Sequence, residues 1–177
     1  MIPVKIQKIS YHLPNRSYAV ILKEIEGKRK LPVLVGAFEA QSIAMAMEFM
    51  ETPRPLTHDL IVNLINGIDG KLSSVKITRL EDGIFYSILD IDCDDIGHRE
   101  IDSRPSDALA IAIRMHSPIL VADEVMREGV LLEDELDDEI QNEPEIQLLE
   151  NQLQKAIDKE DYEIAAKIRD KIKEIES

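Results

Sequence analysis

Three acidic residues each fall in the first turn of a predicted helix. Glu39, Asp59 and Asp107 each follow a helix-opening signal and fall in a first turn, where free backbone N–H groups and the helix dipole attract phosphate. Carboxylates are also the ligands that Mg²⁺ and Mn²⁺ prefer, and metal-assisted phosphodiester hydrolysis needs two or more of them around one cation. The pattern therefore predicts these three acids as catalytic and metal-binding residues, with Mg²⁺ or Mn²⁺ as the cofactor.

Basic and hydroxyl side chains stand beside two of these turns. Arg54 precedes the second predicted helix, and Arg104 and Ser106 flank the start of the third. Because a guanidinium can hold a phosphate through two parallel hydrogen bonds, we expect Arg54, Arg104 and Ser106 to bind substrate. Arg104 is also a candidate catalytic residue. His58 is a candidate general base.

The same side chains have a purely structural explanation. Acids in a first turn stabilise a helix by about 0.3 to 1 kcal/mol without doing any chemistry. Arg104 has Asp102 and Asp107 as nearby partners for an ion pair, and His58 is equally explained as a hydrogen-bonded scaffold residue. The residues alone leave both interpretations open.

A second acidic run places Asp90, Asp92 and Asp94 on one face of an extended segment. It does not fit a calcium-binding loop, because the glycine of such a loop is missing and Ile101 stands where the loop needs glutamate. His98, like two other histidines outside the predicted site, has no local ligand spacing. This run is therefore predicted to be a solvated strand end.

The composition excludes several other classes of protein. Aromatic residues make up 4% of the chain, with no tryptophan, so a base-stacking nucleic-acid platform is disfavoured. There is no glycine-rich phosphate loop and no Gly-x-Ser-x-Gly motif. Cys93 is the single cysteine and agrees with a reducing compartment. Apolar runs such as 108–113 fall far short of the roughly 20 residues of a membrane span, and no leader-like segment follows Met1, so we expect a cytoplasmic protein.

The net charge of −14 is concentrated near the end of the chain. Residues 1–130 have a net charge of −4, and residues 131–177 have a net charge of −10. Eight acids and no base lie between Glu133 and Glu145, with Pro144 among them. Such a segment repels itself and buries little, so residues 131–144 are predicted to form a linker between independently folded parts, 1–130 and 145–177.

The first part is predicted to have an α+β fold with a largely antiparallel sheet packed with helices. Predicted strands cover 4–9, 18–22, 31–35, 75–80, 84–91, 98–101 and 119–121, and predicted helices cover 36–50, 57–65 and 105–115. Asp82-Gly83 is a strong hairpin-turn signal. Phe38, Ile43, Met47 and Met50 form one stripe of the first helix, which is expected to be mostly buried.

The last part shows two short amphipathic helices that form a hairpin. Residues 148–175 resemble the UVR motif of nucleotide-excision-repair subunits and of some protease and kinase regulators. The resemblance implies a protein-interaction module that binds another such hairpin, in a second copy of this chain or in a repair or regulatory protein. The expected contact residues are Tyr162, Ala165, Ala166 and Arg169, and we expect a homo-oligomer.

Residues 4–130 resemble the bifunctional nuclease family. The resemblance is carried by the segments 36–40, 54–60, 85–86 and, above all, Ile101-Asp102-Ser103-Arg104-Pro105-Ser106-Asp107-Ala108. Ser87 and Ser103 stand where alanine is expected. The resemblance implies cleavage of both DNA and RNA. A non-catalytic adaptor that uses both parts of the chain for protein binding is the alternative.

Overall fold

The computed structural model describes residues 1–12, 17–50, 52–95 and 97–129, together with Arg169, which is helical. The chain divides into two units, Met1–Leu131 and Leu132–Ser177, and nearly all described residues belong to the first. The predicted linker 131–144 and the hairpin 145–177, apart from Arg169, lie outside the described residues.

The first unit contains seven strands and four helices among its described residues. The strands are β1 (Ile2–His12), β2 (Ser17–Glu24), β3 (Lys30–Val35), β4 (Gly70–Glu81), β5 (Ile84–Cys93), β6 (Arg99–Ser103) and β7 (Ile119–Val121). The helices are α1 (Ala37–Met47), α2 (Thr57–Gly67), α3 (Pro105–Met115) and α4 (Asp123–Glu128). Helix α4 is absent from the sequence-based prediction, because its six residues are too few to show a hydrophobic period.

The seven strands form one mixed sheet in the order β3-β2-β1-β7-β4-β5-β6. Neighbouring strands are antiparallel except β4 and β7, which are parallel. The β4–β5 hairpin turns at Asp82 and Gly83, whose φ angles of 51° and 77° both lie in the left-handed region that such a turn requires. The mixed α/β architecture and the mostly antiparallel sheet were both predicted from the sequence.

Helix α3 lies at the centre of the helical layer. Its five residues from Ala108 to Ala112 are fully buried, and both α1 and α2 pack against it. Alanine alternates with Leu109 and Ile111 in this run, so the helix is apolar on almost every side and has to be enclosed. This enclosure brings the first turns of the three helices to one region of the fold.

Helix α1 differs from its prediction in length and in the face that it buries. It ends at Met47 rather than near residue 50, because Phe49 has a left-handed φ of 52°. Phe38 and Met50, which were predicted to be buried, are 84% and 60% exposed. The helix packs through small residues, Ala40 and Ala46, around Ile43. Among the described helices, none has the length and apolar character needed to cross a membrane.

The acidic segment predicts that the first unit folds without the rest of the chain. A version ending at Gly129 is expected to unfold cooperatively, with nearly the same thermal midpoint as the full chain, because few contacts cross a charged linker. Circular dichroism melting of the two proteins tests this. An insoluble short form, or a midpoint lowered by more than a few degrees, contradicts it.

Candidate functional site

Arg104 joins the first turns of α1 and α3. Its Nε and Nη2 atoms donate to the two carboxylate oxygens of Asp107 at 2.8 and 3.1 Å, and its Nη1 donates to Glu39 at 3.1 Å. Arg104 is the residue immediately before α3, and each of the two acids is the third residue of its helix. One guanidinium therefore connects two helix N-termini that are separated by 65 residues of sequence.

His58 connects Asp107 to helix α1. Its Nε2 lies 3.1 Å from Asp107 Oδ1, and its Nδ1 lies 2.8 Å from the hydroxyl of Ser42. In the tautomer that donates Nε2–H to Asp107, Nδ1 accepts a hydrogen bond from Ser42. The carboxylate then orients the imidazole, and the lone pair on Nδ1 faces the hydroxyl group of Ser42. Chemically, this arrangement allows His58 to take a proton while Asp107 stabilises the resulting imidazolium.

Asp59 is connected to Ser42 through Arg114. Its Oδ2 accepts a hydrogen bond from the backbone N–H of Leu56 at 2.9 Å, which caps the start of α2. Its Oδ1 accepts one from Arg114 Nε at 2.6 Å. Arg114 also donates to the backbone carbonyls of Ser42 and Ala110. The structural role expected of first-turn acids is thus visible at Asp59.

The structure brings most of the predicted site residues into one polar network. Hydrogen bonds connect Glu39 to Arg104, Arg104 to Asp107, and Asp107 to His58. Ser42 and Arg114 connect His58 in turn to Asp59. Neither Ser42 nor Arg114 was predicted. Arg54 lies outside this network, and its described contact is a hydrogen bond from Thr52 Oγ1 to its backbone carbonyl.

A cavity of about 330 Å³ opens beside this network. Glu39, Arg104 and Ser106 line it, together with an apolar wall from strand β3 and the start of β5. Ser106 is buried, and none of the described residues forms a hydrogen bond with its hydroxyl group. The predicted substrate-binding residues Arg104 and Ser106 therefore face a space of the size that small-molecule sites occupy.

The network favours the charged, deprotonated forms of Asp59 and Asp107. Burial raises the pKa of Asp107, but hydrogen bonds from Arg104 and His58 outweigh it and hold the pKa below its ordinary value. The hydrogen bond from Arg114 is the main reason that the pKa of Asp59 is also lowered, against the effect of burial. The hydrogen bond to Asp107 raises the pKa of Arg104 further above its usual range.

Another group of metal-ligating side chains lies at the β5–β6 edge of the sheet. Ligand atoms of Asp90, His98 and Glu100 lie within 4.8 Å of one another. The sequence predicted only a solvated strand end here, because Asp90 comes from β5, Glu100 from β6 and His98 from the turn before β6, and the three show no local spacing. The acids Glu39 and Asp107 share Arg104 as their partner, and Asp59 is paired with Arg114.

The lowered pKa values predict how stability depends on pH. Protons bind Asp59 and Asp107 more tightly in the unfolded chain, so the free energy of unfolding contains a contribution that is present above about pH 4 and is lost as the pH falls through the folded-state pKa values. Asp59→Asn should lower stability at pH 7 and reduce the acid-dependent loss, whereas Asp94→Asn, at an exposed carboxylate, should follow the wild type. Urea titrations between pH 2 and pH 7 measure this, and identical profiles for Asp59→Asn and wild type contradict it.

Comparison with known proteins agrees with the motifs and the fold. The model of the bifunctional nuclease domain matches residues 20–133, and the model of the UvrB/uvrC motif matches residues 145–177. Two uncharacterized proteins of Mycobacterium tuberculosis, one from strain H37Rv and one from strain CDC 1551, are each 39% identical to this chain over 137 residues, which cover 77% of this chain and 81% of theirs. The two family matches confirm the resemblances inferred from the sequence, in the same order. The chain belongs to the bifunctional nuclease domain family.

Proposed function

We propose that this protein is a divalent-metal-dependent nuclease that cleaves DNA and RNA phosphodiesters. The observation that carries the proposal is the position of Asp107, whose carboxylate contacts both Arg104 and His58 next to the cavity. Asp107, in the first turn of α3, thus holds both an anion-binding group, Arg104, and a proton-accepting group, His58. The family name is a second, independent support.

Arg104 is the proposed phosphate-binding residue. Its side chain is 65% exposed, and it lines the cavity together with Ser106, so a phosphate entering the cavity meets both donors. Its bonds to Asp107 and Glu39 are exchangeable, because exposed ion pairs contribute only about 0 to 1 kcal/mol. The hydroxyl of Ser106, which lines the cavity, supplies a further hydrogen bond to the substrate. Arg54, which is exposed beside α2, is proposed to contact a more distant phosphate of the chain.

His58 is the proposed general base and Asp107 its orienting partner. The ring nitrogen that faces Ser42 accepts the proton of a water molecule that the hydroxyl contacts; the oxygen of that water attacks the phosphorus, and the P–O bond to the leaving group breaks. Asp107 stabilises the charge that His58 gains. Because the imidazole bridges α1 and α3, packing of both helices fixes its orientation before substrate binds.

Glu39 and Asp107 are the proposed cation ligands. A divalent cation bound there would neutralise charge on the phosphate and lower the pKa of a bound water. Since both carboxylates are paired with Arg104, the guanidinium has to move toward the substrate when the cation binds. Both oxygens of Asp59 are already bonded to Leu56 and Arg114. We therefore assign to Asp59 a positioning role, through the Arg114–Ser42 contacts, rather than metal binding.

A non-catalytic adaptor is the second candidate function. It is favoured by one observation, namely that each of the three acids already has an arginine partner in the structure. In this alternative the network only holds the three helices together. The residues matching the UvrB/uvrC motif are proposed to bind a like hairpin, of a second copy or of a repair or regulatory protein, in either case.

The nuclease proposal predicts different effects for three substitutions. Asp107→Asn should reduce cleavage of plasmid DNA and single-stranded RNA about 100-fold or more, because it removes the charge that holds both the cation and His58. Arg104→Lys should reduce cleavage less, through loss of the two-pronged hydrogen bond. Asp102→Asn, at an exposed acid in the same motif, is the matched control and should cleave like the wild type.

Cleavage is measured across gel-filtration fractions, with Mg²⁺, with Mn²⁺ and with chelator. Activity should co-elute with the protein and disappear with chelator. Activity that elutes elsewhere, or an Asp107→Asn variant that cleaves as fast as the wild type, rejects the nuclease. Variants whose activity falls only in proportion to their folded fraction favour the adaptor.

The protein-interaction proposal predicts an effect of Ala165→Leu. The larger side chain should separate the two helices that the sequence predicts to pack closely, at a typical cost of 1 to 3 kcal/mol, and weaken association of the chain. Analytical ultracentrifugation of wild type and variant measures the association of the chain. Lys167→Gln, prepared in the same way, is the control variant. A wild type that is strictly monomeric, and that captures no protein containing a UVR motif, contradicts this proposal.

A further inference from the structure

The edge of the sheet formed by β5 and β6 carries a polar cluster that the proposed catalytic site does not use. Asp90 in β5 is paired with Glu100 in β6, and His98 lies just before β6. The cross-strand pairing and the turn between the strands bring the three side chains together. Ligand atoms of all three lie within 4.8 Å of one another.

Asp90 has two oxygens in very different environments. Its Oδ2 accepts a hydrogen bond from Ser74 at 3.0 Å and lies 2.7 Å from the ammonium of Lys76. Its Oδ1 is fully enclosed and has no hydrogen bond. The nearest described partner is His98 Nε2, at 3.0 Å but without hydrogen-bond geometry. A buried carboxylate oxygen without a partner is unusual, because desolvation without compensation costs about 1 to 3 kcal/mol or more.

His98 is oriented by a second aspartate. Its Nδ1 lies 2.9 Å from Asp92 Oδ1, and the other oxygen of Asp92 accepts a hydrogen bond from Ser73. Metal-binding histidines almost always donate their other ring N–H to such a carboxylate, which fixes the tautomer. With Nδ1–H donated to Asp92, Nε2 carries a lone pair, and it lies 3.0 Å from the enclosed oxygen of Asp90 without the alignment of a hydrogen bond. A cation beside both atoms would accept a lone pair from each of them.

We propose that Asp90 Oδ1, His98 Nε2 and Glu100 bind one divalent transition-metal ion of the Zn²⁺ class. Imidazole nitrogen and carboxylate oxygen are both ligands that Zn²⁺ accepts, and three protein ligands leave a coordination position for water. Asp92 orients the histidine, and Ser74 and Lys76 hold the second oxygen of Asp90. Asp90, the buried ligand, and His98 thus each have the outer hydrogen-bonding partner that metal sites require.

Charge in the cluster also favours a divalent cation. Three carboxylates, those of Asp90, Asp92 and Glu100, face the ammonium of Lys76, and Lys71 lies opposite Asp92 on the neighbouring strand. With neutral His98 the sum of these charges is −1, so the cluster attracts a cation. Lys76 lies 3.5 Å from Glu100, and the Glu100 side chain is half exposed, so it can turn from the lysine toward the metal.

A protonated His98 held between two aspartates is the alternative explanation. The hydrogen bond to Asp92 is the largest cause of the raised pKa of His98, and the charges of Asp90 and Glu100 add to it. An imidazolium satisfies Asp90 Oδ1 in part and needs no metal. The two explanations differ in one measurable respect, because only the metal site binds Zn²⁺ through His98.

Isothermal titration of the full chain with Zn²⁺ at pH 7.5 tests the proposal. We expect a saturable site that depends on His98 and whose occupation raises the thermal midpoint. His98→Ala should abolish this site, and Asp92→Asn should weaken it by about 10- to 100-fold. Asp94→Asn, in the same acidic run, is the matched control and should bind like the wild type. Asp107→Asn should also retain the site, which separates this proposal from the proposed nuclease.

Two results overturn the proposal. One is the absence of saturable Zn²⁺ binding. The other is binding that His98→Ala leaves unchanged, since Zn²⁺ would then be held by other acids, such as those between 133 and 145. His98 is half exposed, so its replacement should leave the melting of the metal-free protein close to that of the wild type. If His98→Ala nevertheless unfolds, the milder Asp92→Asn decides through its loss of affinity.

Discussion

The enclosure of helix α3 is the constraint on which the rest of this fold depends. Five consecutive apolar residues, from Ala108 to Ala112, leave the helix no side that tolerates water. The sheet covers one side, and α1 and α2 cover the others. Because these helices have to lie against α3, their first turns and the polar side chains that those turns carry come together. The polar network is a consequence of apolar packing.

The network also satisfies the polar groups that this packing encloses. Arg114 bonds to two backbone carbonyls and to Asp59, and His58 bonds to both Ser42 and Asp107. A partly satisfied network in such a place is destabilising, so these partners have to be present together. The same rigidity that satisfies the structural requirement also suits a catalytic site, whose groups have to be oriented before the substrate arrives.

Local rules predicted much of the fold and some members of the polar network. The position of an acid in a first turn pointed to Glu39, Asp59 and Asp107, which lie in that network, because this rule needs only the helix start. It did not identify Ser42 or Arg114, which lie within helices and acquire partners only when the helices pack. The cluster of Asp90, His98 and Glu100 was missed for a related reason: strand register decides which side chains meet, and no spacing along the chain records it. Phe38 was misplaced because the helix packs through alanines instead.

Strand β7 has a consequence for how the protein is made. Its three residues lie between β1 and β4 and are the only connection, among the described strands, between the group β1–β3 and the group β4–β6. Each group is a set of neighbouring hairpins that can form early during synthesis, since contacts close in sequence form fastest. Strand β7 can join the two groups into one sheet only after Val121 has left the ribosome. Until then the edges of β1 and β4 that β7 covers in the folded protein are unpaired, and unpaired strand edges associate with wrong partners.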